Sequence, residues 1–292
     1  MEKINVLSLF DGISCGHIAL DKAGIPINKY YASEIDKYAI KVTNKNYPET
    51  INLGDVTTVS GELFTEKIDL LIGGSPCQGF SQAGKMKNFD DPRSKLFWEY
   101  VRILQEVKPK YFLLENVVMK QEWQDIISEA LGVKPIMIDS SLTSAATRKR
   151  LYWTNIPIDM NYIPSDKVFS DIEYEHDYKI VDISKYKDTV KANNDNTCWK
   201  WDTSGKGYYS QQSRARSKDI KMNTLPASGG DKNNIYLGNY TYRKLHPVEA
   251  ERLQTLPDNY TNCIKSNVKR IGLCGNGWTV DVIAWIFSGL KR

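Results

Sequence analysis

The sequence predicts an α/β fold, a doubly wound and mostly parallel sheet with helices on both faces. Three observations predict it. Apolar runs of strand length alternate with segments of helical spacing across residues 6–154. Two of these runs, Val6–Phe10 and Ile68–Ile72, are apolar almost throughout, the pattern of strands buried on both faces. Polar clusters follow the runs directly, where open α/β sheets hold ligands, beyond the carboxyl ends of their strands.

The elements follow in order. Val6–Phe10 leads into the turn Asp11-Gly12, then Ser14, Cys15 and Gly16, and a short helix His17–Ala23 that Gly24 stops. Tyr30–Ser33 reads as a second strand ending at Glu34. Ile35–Asn46 reads as a helix with Ile35, Ala39, Ile40 and Val42 on its buried side. Ile51–Leu53 runs into Asp55-Val56, and Ile68–Ile72 into GGSPCQGFSQAG. Leu96–Val107 has helical apolar spacing. Tyr111–Leu114 is a strand ending at Glu115-Asn116, and Ile136–Ile138 and Leu151–Thr154 are two further strands. Asp11, Glu34, Asp55, Cys77 and Glu115 are therefore expected on one rim of the sheet. From Pro157 to Gly238 the composition turns polar with weak periodicity. Within it, Cys198–Asp219 interleaves aromatic, basic and amide residues, as either a nucleic-acid surface or a solvated module with structural aromatics would. Helical patterning returns at Pro247–Leu256 and Val280–Leu290, so three parts are expected: 1–157, 158–238 and 239–292.

Composition bounds the function classes. With 41% hydrophobic residues among 292, a sizeable core can form. A net charge of +4 permits nucleic-acid binding without requiring it. No run approaches the ~20 apolar residues of a membrane span, and Asp11 interrupts the first apolar stretch too early for a signal peptide. Five cysteines with no CxxC spacing argue against a disulfide framework or a metal site, and the expected compartment is the reducing cytoplasm.

The rim residues suggest chemistry. Gly12 and Gly16 let the backbone approach a ligand; Glu34 suits ribose hydroxyls; Asp55 suits an adenine amino group. No P-loop lysine follows the first turn, and acidic residues fit a cationic nucleoside such as S-adenosylmethionine better than a polyphosphate. Cys77 stands in a turn behind a buried strand, after Pro76, positioned for nucleophilic attack as a thiolate. Its addition to C6 of cytosine would activate C5 toward a methyl group, with Glu115 stabilising the adduct at N3. Arg148 and Arg150, two apart at a strand edge, could both face the cleft, one on the base carbonyl and the other on a phosphate or the glutamate; a solvated basic patch is the other reading of this triplet.

The ordered motifs resemble the DNA cytosine-C5 methyltransferase family. LFDGISCG, SEID and GDV are similar to its cofactor motifs, GGSPCQGFS to its proline-cysteine motif, and DPRSKLF to the segment that follows. LLENV is similar to its glutamate motif, ATRKR to its paired-arginine motif with Ala146 in place of the usual glutamine, and RKLHPVEAERLQTLPDNY and GNGWTVDVIAWI to its last two. LLENVV, SAATRKRLYWTNIP and SNVKR most resemble the catalytic domain of animal de novo DNA methyltransferases, while the compact chain suggests a stand-alone bacterial or phage enzyme. The resemblance implies a Rossmann-like fold dependent on S-adenosylmethionine, with 1–157 catalytic and cofactor-binding, 158–238 a small target-recognition region, and 239–292 returning to the catalytic part. Cys77 would be the nucleophile, Glu115 the contact to N3 and the exocyclic amine, and Arg148 and Arg150 would orient the base. Phe10, Asp11, Gly12, Ser14, Gly16, Glu34, Ile35, Asp55, Val56, Pro76, Leu96, Asn276 and Trp278 would line the cofactor pocket. Gln78, Ser81 and the loop to Arg93 would close over a cytosine flipped from double-stranded DNA, with Lys85 and Lys87 on phosphates. Ser210–Lys218, holding Gln211, Gln212, Arg214 and Arg216, would read bases. The animal relatives oligomerise, which leaves a homo-oligomer open. Two other readings share most of these residues: a transfer-RNA cytosine-C5 methyltransferase and a non-catalytic regulatory homologue. The Asp/Asn-Pro-Pro-aromatic motif of amino-methylating enzymes does not occur.

Overall fold

Hydrophobic strands stacked in parallel need helices on both faces, and the chain supplies them. The computed structural model describes residues 2–76, 95–161, 164–207, 213–227 and 234–291. Cys77, Gln78, Ser81, Lys85, Lys87, Arg93, Gln211 and Gln212 lie outside the described residues. Internal packing divides the chain into two units. The first holds Met1–Asp139, Lys149–Tyr162 and Val280–Arg292; the second holds Ser140–Arg148 and Ile163–Thr279.

The first unit is a seven-stranded sheet. Its strands in chain order are β1 (Ile4–Leu9), β2 (Ile27–Ser33), β3 (Ile51–Asn52), β4 (Leu70–Gly73), β5 (Tyr111–Val117), β6 (Ile136–Asp139) and β7 (Lys149–Thr154). The spatial order is β3-β2-β1-β4-β5-β7-β6. β1 to β5 pair in parallel, and β7 runs antiparallel between β5 and β6. The expected mostly parallel, doubly wound sheet is therefore present. Helices α1 (Cys15–Ala23), α2 (Lys37–Asn46), α3 (Lys95–Val107) and α4 (Gln121–Leu131) follow β1, β2, β4 and β5. The core on one side joins Leu7, Leu9, Leu71, Leu114 and Trp153 of the sheet to Phe97, Tyr100 and Ile103 of α3.

The ends of several elements differ from expectation for identifiable reasons. α2 starts at Lys37, because the Asp36 carboxylate accepts the Tyr38 and Ala39 N–H groups and caps it. Ile35 therefore stays outside the helix and 73% exposed, not on its buried side. β5 runs on through Glu115 and Asn116, which pair with Tyr152 and Leu151 of β7. α4 was not expected, although Trp123, Ile127, Ala130 and Leu131 pack against the core at helical spacing.

The second unit contains a six-stranded sheet. Its strands are β8 (Val181–Asp182), β9 (Lys191–Ala192), β10 (Cys198–Lys200), β11 (Arg214–Arg216), β12 (Asn234–Gly238) and β13 (Thr241–Lys244), in spatial order β8-β13-β12-β11-β10-β9. β11 and β12 are parallel and the other pairs antiparallel. Its small core is Ile183, Trp201 and Ala215, packed by Tyr186, Val190, Tyr236 and Tyr242. Helices α5 (Pro247–Leu253) and α6 (Asn267–Asn276) belong to this unit. Residues 239–279 thus pack with the polar region; only α7 (Val280–Phe287) and the short turn after it return to the first unit, where α7 lies against α1 and Asp281 pairs with Lys22 at 2.7 Å. Among the described residues, no helix is long and apolar enough to cross a membrane and no cluster of His, Cys, Asp and Glu could hold a metal.

α5 is capped by a histidine. His246 Nδ1 accepts the Val248 N–H at 3.2 Å while Glu249 Oε2 accepts the His246 N–H at 2.8 Å. An accepting Nδ1 must be unprotonated there, and burial, with the neighbouring His176, holds the His246 pKa below its ordinary value. A lowered native pKa means that the unfolded chain binds the proton first, so this group erodes stability as pH falls below about 6.5. His246→Asn keeps a capping acceptor without titrating there, and its melting temperature should fall less than the wild type's between about pH 7 and about pH 5. Parallel declines would refute the capping role.

Candidate active site

The turn after β1 is built from residues in the left-handed region. Phe10 (φ 57°), Gly12 (φ 62°) and Ser14 (φ 57°) all adopt it, and for the two non-glycine residues this costs roughly 1 kcal/mol or more each. Side chains hold the turn in place. Asp11 Oδ2 accepts from Ser14 Oγ at 2.5 Å and Oδ1 from the Tyr30 hydroxyl at 2.8 Å. Ser14 Oγ also lies 2.9 Å from Thr43 Oγ1 of α2. Burial raises the Asp11 pKa to about 6 against the hydrogen bonds from Ser14, Ser8 and Tyr30, which favour the ionised form; the Glu34 charge raises it further.

Glu34 ties the first turn to the second. Its Oε2 accepts the Gly12 N–H, and its Oε1 accepts the Ile35 and Asp36 N–H groups, all at 2.8 Å. Ser33 Oγ in turn donates to Gly54 O at 2.8 Å, linking the end of β2 to the loop after β3. There Asp55 Oδ1 accepts both the N–H and the hydroxyl of Thr57, each at 2.9 Å. The Thr57 N–H, ahead of its hydroxyl, holds this exposed carboxyl below the usual carboxylate range. Val56 is buried beneath it, and Leu96 is partly buried against the same core.

Behind β4 the loop Gly74-Ser75-Pro76 leads toward Cys77. The buried Asn116 side chain of β5 reaches it, donating from Nδ2 to Ser75 Oγ at 3.1 Å. Beside Asn116, the buried Glu115 pairs through Oε1 with Arg150 Nε at 2.9 Å, across the antiparallel β5–β7 pair.

In the second unit, Arg148 is also buried, but its guanidinium is engaged otherwise. Nη1 donates to Gly275 O and Nη2 to Gly277 O, both at 3.1 Å. Those carbonyls flank Asn276, which is exposed, and precede the half-buried Trp278. Gln254 Nε2 donates to Cys274 O at 2.7 Å in the last turn of α6. Gly275 is required there, since a Cβ would lie 2.5 Å from Pro226 O. Elsewhere in this unit a cleft of about 370 Å³ is lined by Thr147, Arg214, Arg216, Asn223, Thr224 and Asn234 among others.

A family model described as C-5 cytosine-specific DNA methylase matches residues 4–125 and 138–292. The chain belongs to this family. It is 39% identical over 173 residues to the orphan methyltransferase M.SPRI of Bacillus phage SPR, a match covering 55% of this chain and 39% of that protein. It is 46% identical over 173 residues to the orphan methyltransferase M.Rho11sI of Bacillus phage rho11s, covering 55% and 34%. The matched stretch thus spans little more than a third of these phage relatives' length. Type II methyltransferase M.HhaI of Haemophilus parahaemolyticus is 29% identical over 315 residues, covering 97% of this chain and 93% of its own. Entamoeba histolytica methyltransferase EhMeth, at 18% identity and 100% coverage of both chains, superposes with a TM-score of 0.75. Dnmt2 methyltransferase of S. pombe, at 19% and 98% coverage of both, gives 0.70. These two likenesses are of fold.

In this member of the family, the first unit brings together Asp11, Gly12, Ser14 and Glu34 through direct hydrogen bonds, and separately Glu115 with Arg150 as an ion pair. The expectation that both arginines face one way from a strand needs correcting. Arg148 lies one residue before β7 and is bonded to the Gly275 and Gly277 carbonyls, whereas Arg150 sits within β7. Sequence reasoning missed Asn116 and Tyr30. Asn116 had a signal, a second polar residue beside Glu115 at the end of an apolar run; Tyr30 had none, being an unremarkable strand aromatic.

Asp11 generates a test with a definite sign. Its native pKa of about 6 exceeds the ordinary 3.8, so the native state holds the proton longer, and wild-type stability falls as pH rises between those values. Asp11→Asn cannot titrate. Its melting temperature relative to the wild type's should rise between about pH 4 and about pH 7, and a constant difference would mean an unperturbed carboxyl.

Proposed function

We propose that the chain is a DNA (cytosine-5-)-methyltransferase that uses S-adenosylmethionine. The observation that carries this is the Glu115–Arg150 ion pair beside Asn116, whose side chain holds the loop entering Cys77. Glu115 of β5 is thus held by Arg150 of β7, and the start of that loop by Asn116 of β5, on the edge where the parallel strands end.

The cofactor rim suits the proposed donor. Glu34 and Asp55 offer carboxylates to hydroxyl and amino groups, and Ile35 beside Glu34 exposes an apolar side chain that an adenine ring would cover. Phe10, Asp11, Gly12, Ser14 and Gly16 would form the turn around it, with Val56, Pro76 and Leu96, and Asn276 and Trp278 from the closing motif. When bound, S-adenosylmethionine supplies an electrophilic methyl group.

The chain's own residues then do the rest. The Cys77 thiolate forms a bond to C6 of the cytosine, and its electron pair makes C5 nucleophilic. Glu115, held by Arg150, faces N3 and the exocyclic amine and stabilises the adduct there. Once C5 carries the methyl group, loss of the C5 proton to a base and cleavage of the C6–S bond release the thiolate. Arg148, through the Gly275 and Gly277 carbonyls, positions the end of α6 that bears Asn276 and the Trp278 that follows it. Arg214 and Arg216, with Gln211 and Gln212, read the duplex in the second unit, and Gln78, Ser81, Lys85, Lys87 and Arg93 close on the flipped base and its phosphates. We infer that it acts in the cytoplasm of a bacterial or phage-infected cell, a reading that the phage and bacterial sources of its relatives support.

Purified protein incubated with labelled S-adenosylmethionine should label duplex DNA as 5-methylcytosine. Cys77→Ala should abolish label. Glu115→Gln should lower kcat by about 10²- to 10⁴-fold, the range for a positioned acid or base. Label confined to transfer RNA, or persisting in Cys77→Ala, would overturn the proposal.

A further inference from the structure

Lys221 ends in a cage of carbonyl oxygens. Its Nζ donates to Ser141 O at 2.9 Å, Ser144 O at 3.0 Å, Ser165 O at 2.9 Å and Lys167 O at 2.9 Å. These oxygens come from two separate stretches of the second unit, and Lys221 belongs to a third. An ammonium group has three N–H donors and no acceptor, so four carbonyls exceed what ordinary pairing would use. Convergent carbonyl dipoles of this kind replace the hydration shell of a monovalent cation.

The cage lies at the base of the segment that carries Arg148. Ser140–Leu142 forms a tight turn, and Ser140 N–H donates back to Arg148 O at 3.1 Å. Immediately after Lys221, Met222 bridges to Ala146: its N–H donates to Ala145 O, and its carbonyl accepts the Thr147 N–H, both at 2.8 Å. Thr224 Oγ1 donates to Thr147 O at 2.9 Å. The lysine thus anchors one end of a short ladder that delivers Arg148 to the Gly275 and Gly277 carbonyls.

We propose that Lys221 is a tethered cation, a positioning residue whose charge orders the Ser140–Arg148 segment for the methyl transfer proposed above. Its catalytic part rests on that reading; its structural part does not. Removing the side chain while leaving the carbonyls produces a site for a free cation of similar size. A buried cross-link with no bearing on the reaction would behave differently, as would a lysine whose stem alone matters.

The test compares wild type, Lys221→Ala and Lys221→Met at constant ionic strength in ammonium, potassium, lithium or N-methylglucamine chloride. Melting temperature and kcat at saturating DNA and cofactor are the two readouts. Lys221→Ala is expected to melt lower and lose about tenfold or more in kcat, with both recovering in ammonium or potassium but not in lithium or N-methylglucamine. Lys221→Met, which fills the cage with an uncharged chain, should not recover, and the wild type should be indifferent to the cation. A Lys221→Ala melting temperature equal to the wild type's, or no cation-specific recovery, would overturn the tethered-cation role. Recovery of melting temperature without recovery of kcat would overturn the positioning role. If the wild type itself transfers no methyl group, the functional reading fails while the melting arm still decides the cage.

Discussion

The parallel pairing of β1 with β2 on one side and β4 on the other is the constraint on which the rest of the first unit depends. Leu9 stands opposite Ser33 and also opposite Gly73, so the turns that follow these strands leave the sheet at one level. The fit there is close. A Cβ on Gly73 would lie 3.0 Å from both Leu9 O and the Tyr100 ring, so a larger residue would need β1 or α3 to give by a few tenths of an ångström. Glu34 converts that alignment into a rigid rim. It spends both oxygens on three backbone N–H groups of two different turns, and each is a charge-assisted bond. A carboxylate so used keeps acceptor capacity for hydroxyl donors, so one residue can brace the turns and serve a ligand.

The parts of this fold that were readable in the sequence are those where burial is two-sided. β1 and β4 carry continuous apolar runs because helices cover both faces, and Gly24 ends α1 in the left-handed conformation that glycine favours. Polar residues inside strands and strands too short for a pattern were not readable. Glu115 and Asn116 look like the end of a strand, since a polar pair in a parallel sheet is unexpected; they are inside β5 because the antiparallel β7 pairs with them. The second sheet is made of strands of two to five residues, where alternation has no length in which to show.

The same division runs through the candidate site. Asp11, Glu34 and Asp55 stand out in the sequence because polar residues follow apolar runs at turns, and Glu115 and Arg150 because polar residues interrupt or edge strand-like runs. What each side chain does with its second partner was not legible, because those partners are distant in sequence. Tyr30 is 19 residues from Asp11, and Gly275 is 127 from Arg148. Two residues apart on a strand predicts a shared face; Arg148 departs from it because its guanidinium goes to the Gly275 and Gly277 carbonyls, partners distant in sequence.

The second unit solves a different physical problem. Its sheet holds a small apolar cluster, and beside the apolar residues of α5 and α6 the unit buries Arg243, Glu249 and Glu251 completely. Arg243 meets Glu249 at 2.8 Å and Glu173 at 3.0 Å; Glu251 accepts from Arg270, the Thr261 hydroxyl and the Asn259 N–H. Buried ion pairs often fail to repay their desolvation, so these brackets add little net stability, and breaking one partner leaves a costly lone charge. Their value lies in direction. An apolar contact tolerates sliding, whereas a guanidinium fork on a carboxylate fixes distance and angle together. Lys221 and Arg148 extend the same device to backbone carbonyls, which every residue type carries. A segment held by its carbonyls keeps its path whatever side chains it displays, and Ser140–Arg148 and the end of α6 are held in this way.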